Sequence, residues 1–242
     1  MAEKRIKLIT FDAAGTLIES RWEPAELILR AAEEHGILLD KEIAKRNFEK
    51  IHSLKRAEHE EVELRKDPAE IRAFWQGEIA EWLVSIGQDP TLSRELYEWL
   101  TRNIFSTDGM VFRLYSDVVP TLRQLRKSNF KLGVLSNWDS SLHKIIDNLE
   151  LRKYFDFVIP SLEIGIEKPN EGIFREALHR ANVAPSEALH IGDSFEDDYL
   201  GAKDAGWNAR LIIRNGERPH FLVEDKPLQS LLEVTQVVGI CV

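Results

Sequence analysis

Hydrophobic positions along the chain fall into three regimes. The opening run, Ile6-Lys7-Leu8-Ile9-Thr10-Phe11, is compact and apolar and stops at Asp12 and a glycine-containing turn. That is the pattern of a buried strand. From about Glu19 to Met110 the spacing turns helical. Ile71, Phe74, Trp75, Ile79, Trp82, Leu83 and Ile86 share one face of a long helix. Leu92, Leu96, Trp99 and Leu100 repeat the pattern after Pro90, and Ala25, Ile28, Leu29 and Ala32 do so more weakly before Gly36. No strand-like alternation interrupts this region, so it reads as a helical bundle. After Met110, helical stretches at 118–127, 142–149, 173–181 and 198–205 alternate with short apolar runs at 131–135, 155–159, 188–191 and 210–213.

Strand and helix in alternation predict a parallel sheet covered on both faces. The first strand joins the same sheet most simply, which makes the helical block an insertion. The expected architecture is α/β: a doubly wound, Rossmann-like parallel-sheet core from residues 1–17 and 111–242, with an inserted α-helical domain from 18 to 110. Substrate is expected to reach a site between the two, admitted by opening and enclosed by closure.

Charge divides along the same line. The whole chain carries a net −9, which argues against binding nucleic acid through bulk charge. Residues 19–110 hold 13 basic and 20 acidic side chains, a net of −7, and the remainder 19 and 21, a net of −2. Four of the six tryptophans (Trp22, Trp75, Trp82, Trp99) lie in the insertion. Amphipathic helices with acidic outer faces account for this, and an acidic docking surface is the alternative. A single cysteine, Cys241, excludes an internal disulfide framework and a cysteine-based zinc site. The N-terminal apolar run is too short for a signal-peptide core, and no stretch approaches the roughly 20 apolar residues of a membrane helix. The expectation is a soluble cytoplasmic protein without membrane or nucleic-acid partners.

Polar groups cluster just past the carboxyl ends of the expected strands. Asp12 follows the first, Ser136-Asn137 the second, Lys168-Pro169 the third after a short loop, and Gly192-Asp193 the fourth. Ligands of open parallel sheets bind at those ends. A carboxylate, a hydroxyl–amide pair, an ammonium and a second carboxylate make a phosphate-plus-metal site. Taken singly, Asp12 could be a turn former, Ser136-Asn137 a helix N-cap, Lys168 a surface lysine, and Asp193 a structural residue. Asp197 reads most simply as a helix cap, and His190, inside an apolar strand, as a core residue.

These residues resemble the haloacid dehalogenase-like hydrolases. Asp12-Ala13-Ala14-Gly15-Thr16-Leu17 is similar to their first motif, Leu135-Ser136-Asn137 to the second, Lys168-Pro169 to the third, and Gly192-Asp193-Ser194-Phe195-Glu196-Asp197-Asp198 to the fourth. The helical block matches their cap domain. The resemblance implies Mg²⁺-dependent hydrolysis of a small phosphorylated metabolite through an aspartyl phosphate on Asp12. It implies Asp12, the Ala14 backbone carbonyl and Asp193 as metal ligands, with Asp198 in or near the metal's surroundings. Lys168 would offset charge on the transferring oxygens, Ser136 and Asn137 would bind them, and Thr16 would shape the turn and help hold phosphate.

One position departs from the family pattern. Most family phosphatases carry a second Asp two residues after the nucleophile, and here that residue is Ala14. A backbone carbonyl survives the change, but the acid–base carboxyl does not, and such a group is typically worth roughly 10²–10⁴ in rate. Three readings follow: a hydrolase of activated phosphates or one with a substitute acid; an enzyme resembling phosphonoacetaldehyde hydrolase that uses Lys55 as a Schiff base; or a phosphate- or partner-binding protein with little turnover. Halide-removing dehalogenases fit poorly, because they do not carry Ala there.

Overall fold

The four residues of β1 (Leu8–Phe11) are all buried, which places an apolar strand with no wet face at the centre of a sheet. In the computed structural model, which describes residues 6–21, 23–65, 67–104, 111–214 and 226–240, Asp12 follows immediately and a turn leads to β2 (Ile18–Ser20). Five helices come next: α1 (Pro24–Glu34), α2 (Lys41–Leu54), α3 (Arg56–Arg65), α4 (Pro68–Ser85) and α5 (Ser93–Asn103). The chain then forms β3 (Phe112–Leu114), α6 (Val118–Lys127), β4 (Lys131–Ser136), α7 (Ser141–Asn148), β5 (Phe157–Pro160) and α8 (Ser161–Ile164). It continues through α9 (Glu171–Ala181), β6 (Ala188–Gly192), a π turn at Phe195–Leu200, α10 (Gly201–Asp204), β7 (Asn208–Leu211) and α11 (Val234–Val237). Cys241 and Trp22 lie outside the described residues.

Two compact units result: Met1–Ser20 with Phe112–Val242, and Arg21–Val111. The first holds a five-stranded sheet of order β5-β4-β1-β6-β7 with every pairing parallel. After β1 the chain builds outward through β4 and β5, then returns to the other side of β1 for β6 and β7. The reversal opens a crevice at the carboxyl end of β1, where such sheets bind ligands. Leu8, Leu135, Ile159, Phe174 and Trp207 belong to one apolar cluster in this unit. The doubly wound α/β expectation is therefore met. The pairing of β2 with antiparallel β3 was not foreseen; three residues per strand are too few to display a period of two.

The helical unit buries Ile28, Phe48, Ile79, Trp82, Leu83 and Leu96 among its helices. The face expected for the long helix is α4, where Phe74, Ile79, Trp82 and Leu83 are buried. Asp67 caps its start and Pro68 occupies the first turn, where a missing N–H is harmless. Trp82 Nε1 donates to the Ala44 carbonyl at 2.9 Å, satisfying the indole in the apolar interior. No helix among the described residues is long and apolar enough to cross a membrane.

Candidate active site

A cleft of about 210 Å³ lies at the carboxyl end of the sheet and is lined by Asp12, Ala14, Ser136, Asn137, Trp138, Lys168, Asp193, Ser194, Asp197 and Asp198. Each strand end places one part of it. Asp12 is fixed directly beyond β1 by its N–H, which donates to the Ile191 carbonyl of β6 at 2.9 Å. Ser136 is the last residue of β4 and is buried. Asp193 follows β6 at once.

Lys168 is the hub. Its Nζ donates to Asp12 Oδ1 at 2.6 Å and to Asp198 Oδ1 at 2.5 Å, and the side chain is 2 % exposed. Asn137 holds the lysine's backbone from both sides: Nδ2 donates to the Lys168 carbonyl at 2.9 Å and Oδ1 accepts from its N–H at 2.8 Å. The amide expected to bind phosphate thus anchors the loop carrying the cation.

Asp198 is held by three donors. Lys168 Nζ and His190 Nε2 share Oδ1, the imidazole at 3.0 Å, and the Ser194 N–H meets Oδ2 at 2.9 Å. Gly192 must lack a side chain here, because a Cβ would fall 2.0 Å from Asp198 Cγ. Gly15 has the same relation to Asp193: its φ is +70° and a Cβ would fall 2.2 Å from Asp193 Oδ2. Thr16, expected at the phosphate, is instead fully buried with Oγ1 3.4 Å from Asp193 Oδ1. It points at a carboxylate rather than into the cleft, because the turn folds back under Asp193. The cap role expected of Asp197 belongs to Ser194, whose Oγ accepts from the Asp197 N–H at 3.1 Å; the Asp197 side chain lines the cleft.

The electrostatics are those of a site short of positive charge. Burial, and after it the charges of Asp12 and Asp198, pushes the Asp193 carboxyl up to about 6. Burial also raises Asp12, with the Asp198 charge adding to it, against the pull of Lys168. At Asp198 burial is outweighed by the Lys168 ammonium and the bond from His190, so its carboxyl stays well below the ordinary range. Burial alone would lower Lys168, but its two carboxylates keep it above its usual value.

Asp12, Asp193 and Asp198 each offer an oxygen within 4.8 Å of the others. Three carboxylates with one ammonium leave a net charge of −2, and all the donors are hard oxygens. That set fits a hard divalent cation.

Lys55 directly follows α2, and its Nζ lies 2.9 Å from Glu81 Oε2. A Schiff-base role would first require breaking that ion pair.

A family model described as haloacid dehalogenase-like hydrolase matches residues 6–206. The chain belongs to that family. It is 30 % identical to haloacid dehalogenase-like hydrolase domain-containing protein 3 of Mus musculus over 94 % of this chain and 90 % of the relative. A more local likeness, 42 % identity across 43 % of this chain and 44 % of the relative, links it to glyceraldehyde 3-phosphate phosphatase of Methanopyrus kandleri. Among solved structures, a haloacid dehalogenase-like phosphatase from Thermococcus onnurineus superposes with a TM-score of 0.61 at 25 % identity, covering 97 % of this chain and 98 % of that one. His190 is buried, as expected of a core residue, but its partners, and Thr10 altogether, were not foreseen. Both sit inside apolar strands, and only the pairing of β1 with β6 brings them together beneath Asp198.

Proposed function

We propose that the chain hydrolyses a small phosphorylated metabolite through an aspartyl phosphate on Asp12, with Mg²⁺ as cofactor. The observation that carries this reading is the shared ammonium: one buried lysine touching both the Asp12 and Asp198 carboxylates, beside a third carboxylate at the carboxyl end of the sheet.

In this reading an Asp12 oxygen attacks phosphorus, the bond to the leaving oxygen breaks, and an acyl phosphate forms. Water then attacks phosphorus, releasing inorganic phosphate and restoring the carboxylate. Asp12 and Asp193, with the Ala14 backbone carbonyl and Asp198 nearby, would hold Mg²⁺, which offsets repulsion between the nucleophile and the phosphoryl oxygens. Lys168 and the Ser136 hydroxyl bind those oxygens, and Asn137 keeps Lys168 in place. The inserted helical unit acts as the cap domain, and its acidic surface disfavours polyanionic substrates.

Ala14 sets the substrate class. No carboxyl at that position protonates the leaving oxygen, so the reading favours phosphates whose leaving group departs unaided, acyl phosphates foremost. Glyceraldehyde 3-phosphate, named for the Methanopyrus kandleri relative, belongs in the panel as the unactivated comparison. The test is hydrolysis of acetyl phosphate, p-nitrophenyl phosphate and glyceraldehyde 3-phosphate with Mg²⁺, beside an Asp12→Asn control. Turnover of acetyl phosphate that Asp12→Asn abolishes is expected. If no compound turns over above that control, the chain is a phosphate- or partner-binding member of the family.

A further inference from the structure

Thr10 of β1 and His190 of β6 are directly paired across the two strands, and both are fully buried. A hydroxyl and an imidazole in such a place must be hydrogen-bonded. Thr10 Oγ1 lies 2.8 Å from His190 Nδ1, and His190 Nε2 lies 3.0 Å from Asp198 Oδ1. The edge of Phe174 closes against the ring, with centroids 5.5 Å apart at 81°.

Donor counting fixes the protons. Asp198 is an ionised carboxylate and can only accept, so His190 Nε2 carries a hydrogen. The Thr10 hydroxyl has its own hydrogen to place in the same apolar interior, and Nδ1 at 2.8 Å takes it as an acceptor. We propose that Thr10 and His190 are a positioning pair: the threonine hydroxyl on Nδ1 locks the orientation of the ring, and the Nε2–H that Asp198 requires holds Asp198 Oδ1 against Lys168. Asp198 in turn draws the Lys168 ammonium partly off Asp12. With the His190 donor lost, Asp198 keeps two donors instead of three, and its Oδ1, with the Lys168 ammonium it orients, is no longer held in place. The effect on turnover rests on the phosphoryl-transfer reading above, while the hydrogen-bond assignment does not.

Nitrogen-15 NMR of the histidine side chains at neutral pH tests the assignment, with the His190 signals identified by their loss in His190→Gln. The wild-type ring is expected as the Nε2–H tautomer with Nδ1 hydrogen-bonded, both retained in Thr10→Ser, while in Thr10→Val the Nδ1 signal moves to that of an acceptor without a donor. An Nδ1–H or doubly protonated wild-type ring, or an Nδ1 signal unmoved in Thr10→Val, overturns the proposal. Kinetics on acetyl phosphate test the consequence. Thr10→Val is expected to lower kcat about tenfold with KM within about twofold, the size of one hydrogen bond to a charged group. Thr10→Ser, and His190→Gln with its amide donor, should stay within about threefold of wild type. A Thr10→Val kcat that is unchanged per folded molecule, with only Tm lowered, assigns the pair a structural role and overturns the positioning one. Should no phosphate turn over at all, the functional reading falls while the tautomer measurement still decides this one.

Discussion

Lys168 Nζ lies 2.6 Å from Asp12 Oδ1 and 2.5 Å from Asp198 Oδ1, so one buried ammonium serves two carboxylates from opposite ends of the chain. Removing it leaves two buried carboxylates with their mutual repulsion. Lys168→Met is expected to lower kcat by about 10²–10³, since an electrostatic contact to the transferring group is gone. It should also lower stability by about 3 kcal/mol, because breaking a buried pair strands a charge. Adding Asp198→Asn to Lys168→Met should recover part of the stability and none of the activity. Chemical denaturation of the two variants beside acetyl phosphate kinetics checks both; a single variant as stable as wild type contradicts the hub role.

Asp193, with its carboxyl pushed up to about 6, ties cation affinity to pH. Below that value the metal-free fold holds a proton that must leave before a cation binds. Apparent Mg²⁺ affinity should therefore fall about tenfold between pH 7 and pH 5 and be flat above pH 7.5, read by titration calorimetry. For Asp193 alone, the metal-free fold gains stability as pH falls from about 6 toward the ordinary value of 3.8. Neutral, buried His190 pulls the other way, because the unfolded imidazole takes up a proton that the folded one resists. The informative quantity is thus the Tm difference between Mg²⁺ and EDTA samples, which should be largest near pH 7.5 and shrink by pH 5. A difference that does not change with pH removes Asp193 from the metal site.

Ala14 lines the same cleft as Asp12, so a carboxyl placed there would stand beside the nucleophile. Ala14→Asp is expected to raise turnover of glyceraldehyde 3-phosphate by about 10², the usual worth of a positioned acid, and to change acetyl phosphate turnover little. Equal effects on both compounds would mean that leaving-group protonation is not what the wild-type site lacks.

The sheet was legible because parallel strands buried on both faces read as continuous apolar runs, as in Leu8–Phe11 and Lys131–Ser136. Its far edge was less so. The apolar run 210–213 contains Ile212, which is buried and bridges to Leu228 beyond the strand, while the strand itself begins earlier, at polar Asn208. In the site, Asp12, Ser136, Lys168 and Asp193 stood out as polar interruptions at strand ends. His190 did not, since one polar residue inside an apolar strand carries no local mark of its partners. Thr16 and Asn137 fell in the right motifs, but which atom each side chain meets depends on how the turn and the Lys168 loop fold back. Asp117 was invisible for the same reason, its partners arriving from the far end of the chain.

Asp117, at the start of α6, gathers those partners on one oxygen. Its Oδ2 accepts from Arg214 Nη1 at 2.7 Å, Ser230 Oγ at 2.7 Å and the Leu231 N–H at 2.8 Å. The Arg214 guanidinium stacks 4.0 Å over the Tyr115 ring, and its other arm donates to the Thr16 carbonyl beneath Asp193. Burial raises the Asp117 carboxyl, but the bonds from Arg214, Ser230 and Leu231 outweigh it and hold it below the ordinary 3.8. A depressed carboxyl stabilises the fold above the unfolded value and loses that contribution as pH falls through the folded one. Asp117→Asn should therefore lower stability by about 2 kcal/mol at pH 7, the scale of a lost charged hydrogen bond. The deficit relative to wild type should hold from pH 7 to about 5 and narrow below about 4, as the wild-type carboxyl itself becomes protonated. Urea unfolding of both proteins at pH 7, 5 and 3 measures it. A deficit as large at pH 3 as at pH 7 would show that packing, and not the charge on Asp117, ties the end of the chain to the turn that carries the nucleophile.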